Sequence, residues 1–314
     1  MKDRRSNSFR LDLNFEVIET DPITGRTTIR VTPNQDRYEW VQLETGRFLY
    51  DKLDDVYITP QIVTEAIQYM LTHQSYDQKQ QIADAQEYWL SRIPIIRETM
   101  RQRNVPYKFI DKSEEFLQEL SFNELNFVIM SVDVVGSTTF ANDLKNEQYA
   151  LLMQTLLFEI SEIVPKFRGY ILKYTGDGLI AYFPEPSFIT MNDLALDCAL
   201  TIRGTIKHAL NTVLTEFGLP SIQTRIGLDS GLAPIVELGS ASSKQQKDII
   251  GIVVSLAAKI QALAMPDEIL YGETVEKNLH TKWRKHSKLV SLPEGWKYHS
   301  PNDEPYKVYK CSLD

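Results

Sequence analysis

The chain has 314 residues, of which 43% are hydrophobic and 24% charged, proportions typical of an ordinary soluble protein. This length accommodates one large domain or two modest ones. The net charge of −8 argues against a protein that binds nucleic acid through a basic surface, although a triphosphate needs only a few placed cations and backbone N–H groups. The sequence contains no apolar run long enough to span a membrane and no apolar segment after its charged first residues, which predicts a cytoplasmic protein.

A β-rich region is predicted for residues 1–75. Apolar and polar residues alternate from Phe9 to Val17, as in a half-buried strand, and the turn sequence Asp21–Gly25 leads to a second strand at Thr27–Thr32. A Thr-Pro pair then favours a helix start, and the helix is predicted from Gln61 to about His73. These residues contain no chemical motif, so a sensing or docking domain and a structural cap both remain open.

Residues 76–122 are predicted to form a connecting helix and a linker. Apolar residues recur there at helical spacing: Ile82, Ala85, Tyr88, Trp89, Ile93 and Ile96. The pattern fits an amphipathic helix packed on a neighbouring domain, or a helix that dimerises and couples two domains. The polar stretch Asn104–Glu124 is the best candidate for a domain boundary.

Residues 123–314 change to an α/β pattern that predicts an α+β fold with a ferredoxin-like βαββαβ core. A buried strand at Phe127–Val132 precedes an amphipathic helix at Tyr149–Ile160. The remaining elements are predicted in this order: strands Tyr170–Lys173 and Leu179–Phe183, helix Asn192–Phe217, strands Gln223–Leu228 and Pro234–Leu238, helix Ile252–Met265, and strand Glu268–Tyr271.

Two aspartates stand where short apolar strands meet turns. Asp133 ends the first strand of this core, and Asp177 lies in the hairpin turn Thr175–Gly178. A ferredoxin-like sheet brings both carboxylates to one edge, where they would repel each other unless they shared a cation, and Mg²⁺ prefers carboxylate and phosphate oxygens. The turn Val135, Gly136, Ser137 and Thr138 leads into a helix N-terminus, which suits a phosphate. Each aspartate alone has a structural explanation, as a helix cap or a hairpin residue, but together they predict a nucleoside triphosphate site.

The sequence at both aspartates resembles the class III adenylyl/guanylyl cyclases. Phe127–Thr138 looks like the first metal motif of that family, and Leu172–Phe183 looks like the second. The strand and turn Arg225–Gly231 and the stretch Asp248–Leu270 resemble the motifs that follow in the family, so the similarity extends over residues 127–272 in the right order.

The resemblance implies a head-to-tail homodimer with two composite sites. Asp133 and Asp177 of one protomer would hold two Mg²⁺ or Mn²⁺ ions per site. The ribose 3′-hydroxyl of a nucleoside triphosphate would attack the α-phosphate in line, and pyrophosphate would leave. The partner protomer would contact the base through Lys173 and Asp248, a pair that favours adenine.

The interface helix departs from the family pattern. Where family members usually carry an Asn and, four residues later, an Arg that stabilise the transition state, this chain has Ser255 and Lys259. Lys259 keeps the charge but loses the planar, bidentate guanidinium. The departure keeps open a cytidylate or uridylate cyclase of the antiphage Pycsar type, which would act with a downstream effector that binds the cyclic nucleotide.

Two further alternatives remain. A non-catalytic nucleotide-binding dimerisation module would explain Ser255 and Lys259 but not the retention of both aspartates. A diguanylate cyclase shares the ferredoxin-like core but needs a Gly-Gly-Asp/Glu-Glu-Phe turn, which the hairpin Thr175–Gly178 does not match. No nucleic-acid or membrane partner is expected.

Overall fold

The structure is a computed structural model that describes residues 11–22, 24–72, 82–106, 112–119, 124–184, 188–240 and 245–313. The chain divides into two compact units. The smaller unit contains residues 1–77 together with 278–285, and the larger unit contains residues 78–277 and 286–314. Among the described helices, none is both long enough and apolar enough to cross a membrane.

In its described residues, the smaller unit is built from short antiparallel strands and two helices. A two-stranded ribbon pairs β1 (Leu13–Thr20) with β2 (Thr27–Pro33). A second sheet has the order β3 (Tyr38–Leu43), β4 (Gly46–Asp51) and β5 (Val56–Ile58). The helices of this unit are α1 (Pro60–Thr72), which follows β5, and α10 (Thr281–Arg284), which comes from a distant part of the chain.

An ion pair and a buried hydrogen bond hold α10 in the smaller unit. The Arg284 guanidinium donates to both carboxylate oxygens of Asp54 at 2.8 and 2.9 Å. The backbone N–H of Thr281 donates to Asp12 at 2.7 Å, and Arg37, which is 1% exposed, pairs at 2.8 Å with the same Asp54 that Arg284 contacts. Since a buried charge is stable only when paired, these contacts fix residues 278–285 to the N-terminal strands.

The larger unit contains an eight-stranded mixed sheet. Its central strands are β6 (Glu124–Val134), β8 (Leu179–Pro184) and β9 (Thr224–Leu238), with β6 antiparallel to both neighbours. The other strands are β7 (Tyr170–Tyr174), β10 (Gln246–Ile249), β11 (Ile269–Gly272), β12 (Ser287–Leu289) and β13 (Val308–Cys311). The strand order is β12-β13-β11-β9-β6-β8-β7, and β10 pairs with the far end of β9.

Helices cover this sheet. They are α2 (Ala85–Gln102), α3 (Lys112–Glu119), α4 (Ser137–Asp143), α5 (Asn146–Ile163), α6 (Phe188–Thr205), α7 (Asn211–Glu216), α8 (Ile252–Leu263) and α9 (Glu273–Asn278). A π-helical segment, Ile206–Leu210, joins α6 to α7. The sheet core consists of fully buried apolar side chains such as Phe127 and Ile129.

Helix α2 packs against helices of its own unit. Arg92 donates two hydrogen bonds to the buried carboxylate of Glu159 in α5, at 2.7 and 2.8 Å. Trp89 stacks on His208 with ring centroids 4.8 Å apart. The Trp89 ring also packs directly on Gly204, because a Cβ at that glycine would lie 2.1 Å from the ring. These contacts place α2 within the larger unit. A helix that dimerises and couples two domains stays a prediction.

The α+β fold class is confirmed, with local differences from the predicted elements. The two strands predicted at Gln223–Leu228 and Pro234–Leu238 are wrong, because β9 is one continuous strand of 15 residues. Its Asp-Ser-Gly stretch looked like a turn, yet these residues pair along β6. Helix α3 and strand β10 were not predicted, and residues 278–285, expected within the region 123–314, group with the smaller unit. Phe9, the predicted start of the first strand, and His73, the predicted end of the first helix, lie outside the described residues.

Candidate functional site

The sheet register places Asp133 and Asp177 at one edge. Val132 of β6 is paired with Leu179 of β8, so the next residue of β6, Asp133, lies opposite the turn that precedes β8. Asp177 belongs to that turn, and both aspartates are partly exposed. The two aspartates therefore lie at the same edge of the sheet, one at a strand end and one in a hairpin turn.

A glycine allows the hairpin to approach β6. A Cβ on Gly178 would lie 2.1 Å from the backbone oxygen of Val132, closer than any side chain tolerates. The turn is closed by a hydrogen bond of 2.9 Å from the N–H of Thr175 to the oxygen of Gly178, and Gly176 has a φ of +93°, which favours glycine. The residue types of this turn thus determine how close Asp177 comes to β6.

Two donors contact the same oxygen of Asp133. Nη2 of Arg225 donates to Oδ2 across the β6–β9 pair, and Nε2 of Gln261 in α8 donates to Oδ2 at 3.3 Å. Among the residues that the structure describes, no donor contacts the second oxygen, Oδ1. An oxygen without a partner at a partly exposed edge is available to a cation.

The donor set fits Mg²⁺ or Mn²⁺ held jointly with a ligand. No group of three or more His, Cys, Asp or Glu side chains that could hold a metal ion occurs in the described part of the chain. Two carboxylates alone are nevertheless typical of Mg²⁺ sites in which substrate phosphates complete the coordination. Asp133 and Asp177 therefore fit a metal–triphosphate complex better than a metal ion alone.

The turn after Asp133 leads into a short helix. The N–H of Val135 donates to the backbone oxygen of Gln223 at 2.9 Å, which ties the turn to the residue preceding β9. Gly136 has a φ of +73° and precedes α4, whose first residues are Ser137 and Thr138. The first N–H groups of a helix have no partner within it, so this turn can offer donors beside Asp133.

Lys173 and Asp248 form an ion pair. The ammonium of Lys173 donates to Oδ2 of Asp248 at 2.6 Å, and the lysine side chain is 40% exposed whereas the aspartate side chain is 7% exposed. The N–H of Ile249 donates to the other oxygen, Oδ1, at 2.9 Å. The structure thus brings together the two residues predicted to contact the base, one on β7 and one on β10.

Ser255 and Lys259 share the exposed face of α8. Ile252, which is 61% exposed, precedes them on the same face, whereas Val253, Leu256 and Ala257 face the core. Side chains three and four positions apart lie on one side of a helix. Ser255 and Lys259 are therefore on the side of α8 away from Asp133, and both can reach a second molecule.

Two residues that contact Asp133 were not predicted as parts of the site, and a third group, Asp229, is buried farther along β9. Arg225 opens the predicted strand motif, and its contact with Asp133 follows from cross-strand pairing. Gln261 lies on the buried face of α8, where its periodic position suggests only packing. Asp229 is 2% exposed and accepts a hydrogen bond of 2.6 Å from the hydroxyl of Tyr306. Burial raises the pKa of Asp229 to about 7, while the Tyr306 hydrogen bond opposes this shift.

Comparison with known proteins identifies the relatives of the larger unit. The sequence profile of the adenylate and guanylate cyclase catalytic domain matches residues 122–294. An adenylate cyclase from Anabaena cylindrica is 26% identical over 191 residues, which cover 57% of this chain and 36% of the relative. A cytidylate cyclase from Staphylococcus aureus is 25% identical over 199 residues, which cover 61% of this chain and 47% of the relative.

The chain spans less than half the length of the curated relatives that it matches. Among solved structures, the adenylyl cyclase CyaB from P. aeruginosa superimposes with a TM-score of 0.53 at 21% identity. This superposition covers 61% of this chain and 95% of CyaB. It shows a shared fold.

Proposed function

Residues 122–294 make this chain a member of the adenylate and guanylate cyclase catalytic domain family, and we propose that it converts a nucleoside triphosphate into a 3′,5′-cyclic nucleotide and pyrophosphate. The observation that carries this proposal is the placement of Asp133 and Asp177 at one sheet edge, with Oδ1 of Asp133 available to a cation. The reaction forms a bond between the ribose 3′-oxygen and the α-phosphorus. It breaks the bond from the α-phosphorus to the bridging oxygen, and the hydroxyl proton passes to solvent.

Each part of the site has a proposed role. When bound with the substrate, Mg²⁺ or Mn²⁺ stabilises the negative charge of the triphosphate and of the attacking oxygen. Asp133 and Asp177 hold the ions. In the turn Val135–Thr138 the N–H of Val135 is paired with Gln223, and the N–H groups of Gly136, Ser137 and Thr138 offer donors to the phosphates.

The other half of each site comes from a second copy of the chain. Lys173 and Asp248 would contact the base, with Lys173 as the donor and Asp248 as the acceptor. Ser255 and Lys259 would face the reacting phosphate from the exposed side of α8, where Lys259 contributes a positive charge. Because they lie on the side of α8 away from Asp133, they serve the partner's aspartates in this proposal.

ATP is the proposed substrate because a lysine and an aspartate together match the acceptor N1 and the donor N6 of adenine. CTP or UTP is the second candidate, and the similarity to a relative named cytidylate cyclase favours it. A pyrimidine product would place the protein in an antiphage signalling system, with an effector that binds the cyclic nucleotide.

Mass spectrometry of the products tests the function. The purified protein is incubated separately with ATP, GTP, CTP and UTP, each with Mg²⁺ or Mn²⁺. A cyclic nucleotide from at least one of them, with equimolar pyrophosphate, is expected. The absence of any cyclic product under both metals would contradict the proposal and favour a non-catalytic binding module.

Mixing two variants tests the composite site. Asp133→Ala and Lys259→Ala chains are each expected to be nearly inactive, since each loses one half of both sites. After subunit exchange, half of the dimers carry one intact site, so about a quarter of the wild-type activity returns. A mixture with no more activity than its components would contradict a shared site.

A further inference from the structure

Gln261 is a buried polar residue whose side chain reaches the metal-binding edge. It lies near the end of α8 and is 9% exposed. Its Nε2 donates to Oδ2 of Asp133 at 3.3 Å. A helix packed on the sheet thus provides a hydrogen bond to a carboxylate at the end of a strand.

Close packing between α8 and β9 determines where this amide lies. A Cβ on Gly227 would stand 2.3 Å from the backbone nitrogen of Gln261 and 2.4 Å from the backbone oxygen of Ala257. Only glycine permits this approach, so the helix backbone rests directly on the strand. Gly227 pairs with Ser131, two residues before Asp133 on β6. This contact therefore places the start of the Gln261 side chain close to the end of β6.

Arg225 alone does not fix the orientation of the Asp133 carboxylate. Its guanidinium donates to Oδ2 through one nitrogen, and its buried Nε has no hydrogen-bond partner among the described residues. A single donor leaves the carboxylate free to rotate about its Cβ–Cγ bond. A second donor from a different element, Gln261, removes this freedom and leaves Oδ1 directed away from both donors.

We propose that Gln261 is a positioning residue: it orients the carboxylate of Asp133 so that Oδ1 is presented to the metal. This inference rests on the proposed function, because it assigns Asp133 as a metal ligand. It also gives α8 two roles. The buried face orients the carboxylate of the chain's own half-site, while the exposed face presents Ser255 and Lys259 to the other site of the dimer.

Electron paramagnetic resonance of Mn²⁺ tests the inference without turnover. Mn²⁺ is titrated into the full chain together with 3′-deoxy-ATP or 3′-deoxy-CTP, which lack the attacking hydroxyl and cannot cyclise. Gln261→Met keeps the length and approximate volume of the side chain but removes the amide N–H groups that donate to Asp133. Because the bond lost is one hydrogen bond to a charged group, Mn²⁺ affinity is expected to fall about tenfold.

Two further variants make the result specific. Gln261→Asn keeps the amide but is too short to bridge the 3.3 Å contact, so it is expected to behave like Gln261→Met. Gln102→Met is the matched control, because the amide of Gln102 also donates to a carboxylate, that of Glu98 at 2.6 Å, on the exposed side of α2. It is expected to bind Mn²⁺ like the wild type.

A kinetic measurement separates positioning from a purely structural role. In Gln261→Met the Mn²⁺ concentration that gives half-maximal rate is expected to rise by the same factor, while kcat at saturating Mn²⁺ stays within about twofold of the wild type. Unchanged Mn²⁺ affinity in both Gln261 variants would overturn the inference, and so would a loss confined to kcat.

Asp133→Asn distinguishes failure of this inference from failure of the proposed function. If Asp133→Asn abolishes Mn²⁺ binding and the Gln261 variants do not weaken it, the metal assignment stands and the positioning role is wrong. If Asp133→Asn binds Mn²⁺ like the wild type, the metal assignment itself is wrong, and the role of Gln261 falls with it.

Discussion

The buried carboxyl group of Asp229 makes the stability of the larger unit depend on pH. Asp229 lies in the middle of β9, is 2% exposed, and has a pKa raised to about 7 because burial disfavours its charged form. The hydrogen bond from Tyr306 partly offsets this effect, and the nearby Glu273 adds to it. In the unfolded chain an aspartate has a pKa of about 3.9.

The sign of the effect follows from these two pKa values. Below about pH 4 the carboxyl group is protonated in both the folded and the unfolded chain, so it does not lower the free energy of unfolding. Between about pH 4 and pH 7 the unfolded chain ionises first, so the free energy of unfolding falls as pH rises, and above pH 7 the loss stays constant at about 4 kcal/mol.

Asp229→Asn removes the ionisation and keeps an oxygen that can accept the Tyr306 hydrogen bond. The free energy of unfolding of this variant, relative to the wild type, is expected to increase by about 3 kcal/mol from pH 5 to pH 8. Urea unfolding followed by circular dichroism at pH 5, 6, 7 and 8 measures this difference. Asp143→Asn, an exposed aspartate in α4, is the control and should show no such trend. A constant difference between Asp229→Asn and the wild type across this range would refute the reasoning.

Three other substitutions test separate parts of the structure. Arg92→Met leaves the buried carboxylate of Glu159 without its partner and is expected to lower the free energy of unfolding in urea by about 3–5 kcal/mol. Arg97→Met breaks a bidentate pair whose side chains are 30% and 40% exposed, and it should lower this free energy much less. Equal losses would contradict the importance of burial. Gly178→Ala forces the hairpin away from β6 and is expected to lower the rate of cyclic product formation about 100-fold. Gly231→Ala is the control and should retain activity, because its Cβ would lie 3.7 Å from the nearest neighbouring atom. Similar rates for the two variants would show that the close approach of the hairpin to β6 does not matter. Lys173→Glu places a second carboxylate beside Asp248 and is expected to change the ranking of the four nucleotides in a competition assay, so an unchanged ranking would remove Lys173 from base recognition.

The sequence predicts the elements of the site that depend on local patterns. A strand ending in Asp133 and a hairpin containing Asp177 have short-range signatures, apolar runs and glycine turns, and the ferredoxin-like order of elements makes the two aspartates neighbours. The pairing of Lys173 with Asp248 follows from the family resemblance rather than from residue patterns, because these residues lie on strands that are distant in sequence.

Other features depend on tertiary contacts that local patterns do not encode. The Asp-Ser-Gly stretch of β9 has the composition of a turn, but pairing with β6 keeps it extended. Gln261 looks like any residue on a buried helix face until the close contact with Gly227 brings its amide to Asp133. The association of residues 278–285 with the N-terminal strands depends on ion pairs such as Arg284 with Asp54, which join residues more than 200 positions apart.

The central claim is that Asp133 and Asp177 form the metal-binding half of a nucleotide cyclase site. The most direct measurement is the rate of cyclic nucleotide formation by the wild type, Asp133→Asn and Asp177→Asn with the preferred triphosphate and Mn²⁺, with Glu124→Gln as a control at the exposed start of β6. Both aspartate variants are expected to remain folded and to lose at least about 100-fold in rate, while Glu124→Gln retains wild-type activity. Cyclic product formed at the wild-type rate by either aspartate variant would contradict the claim.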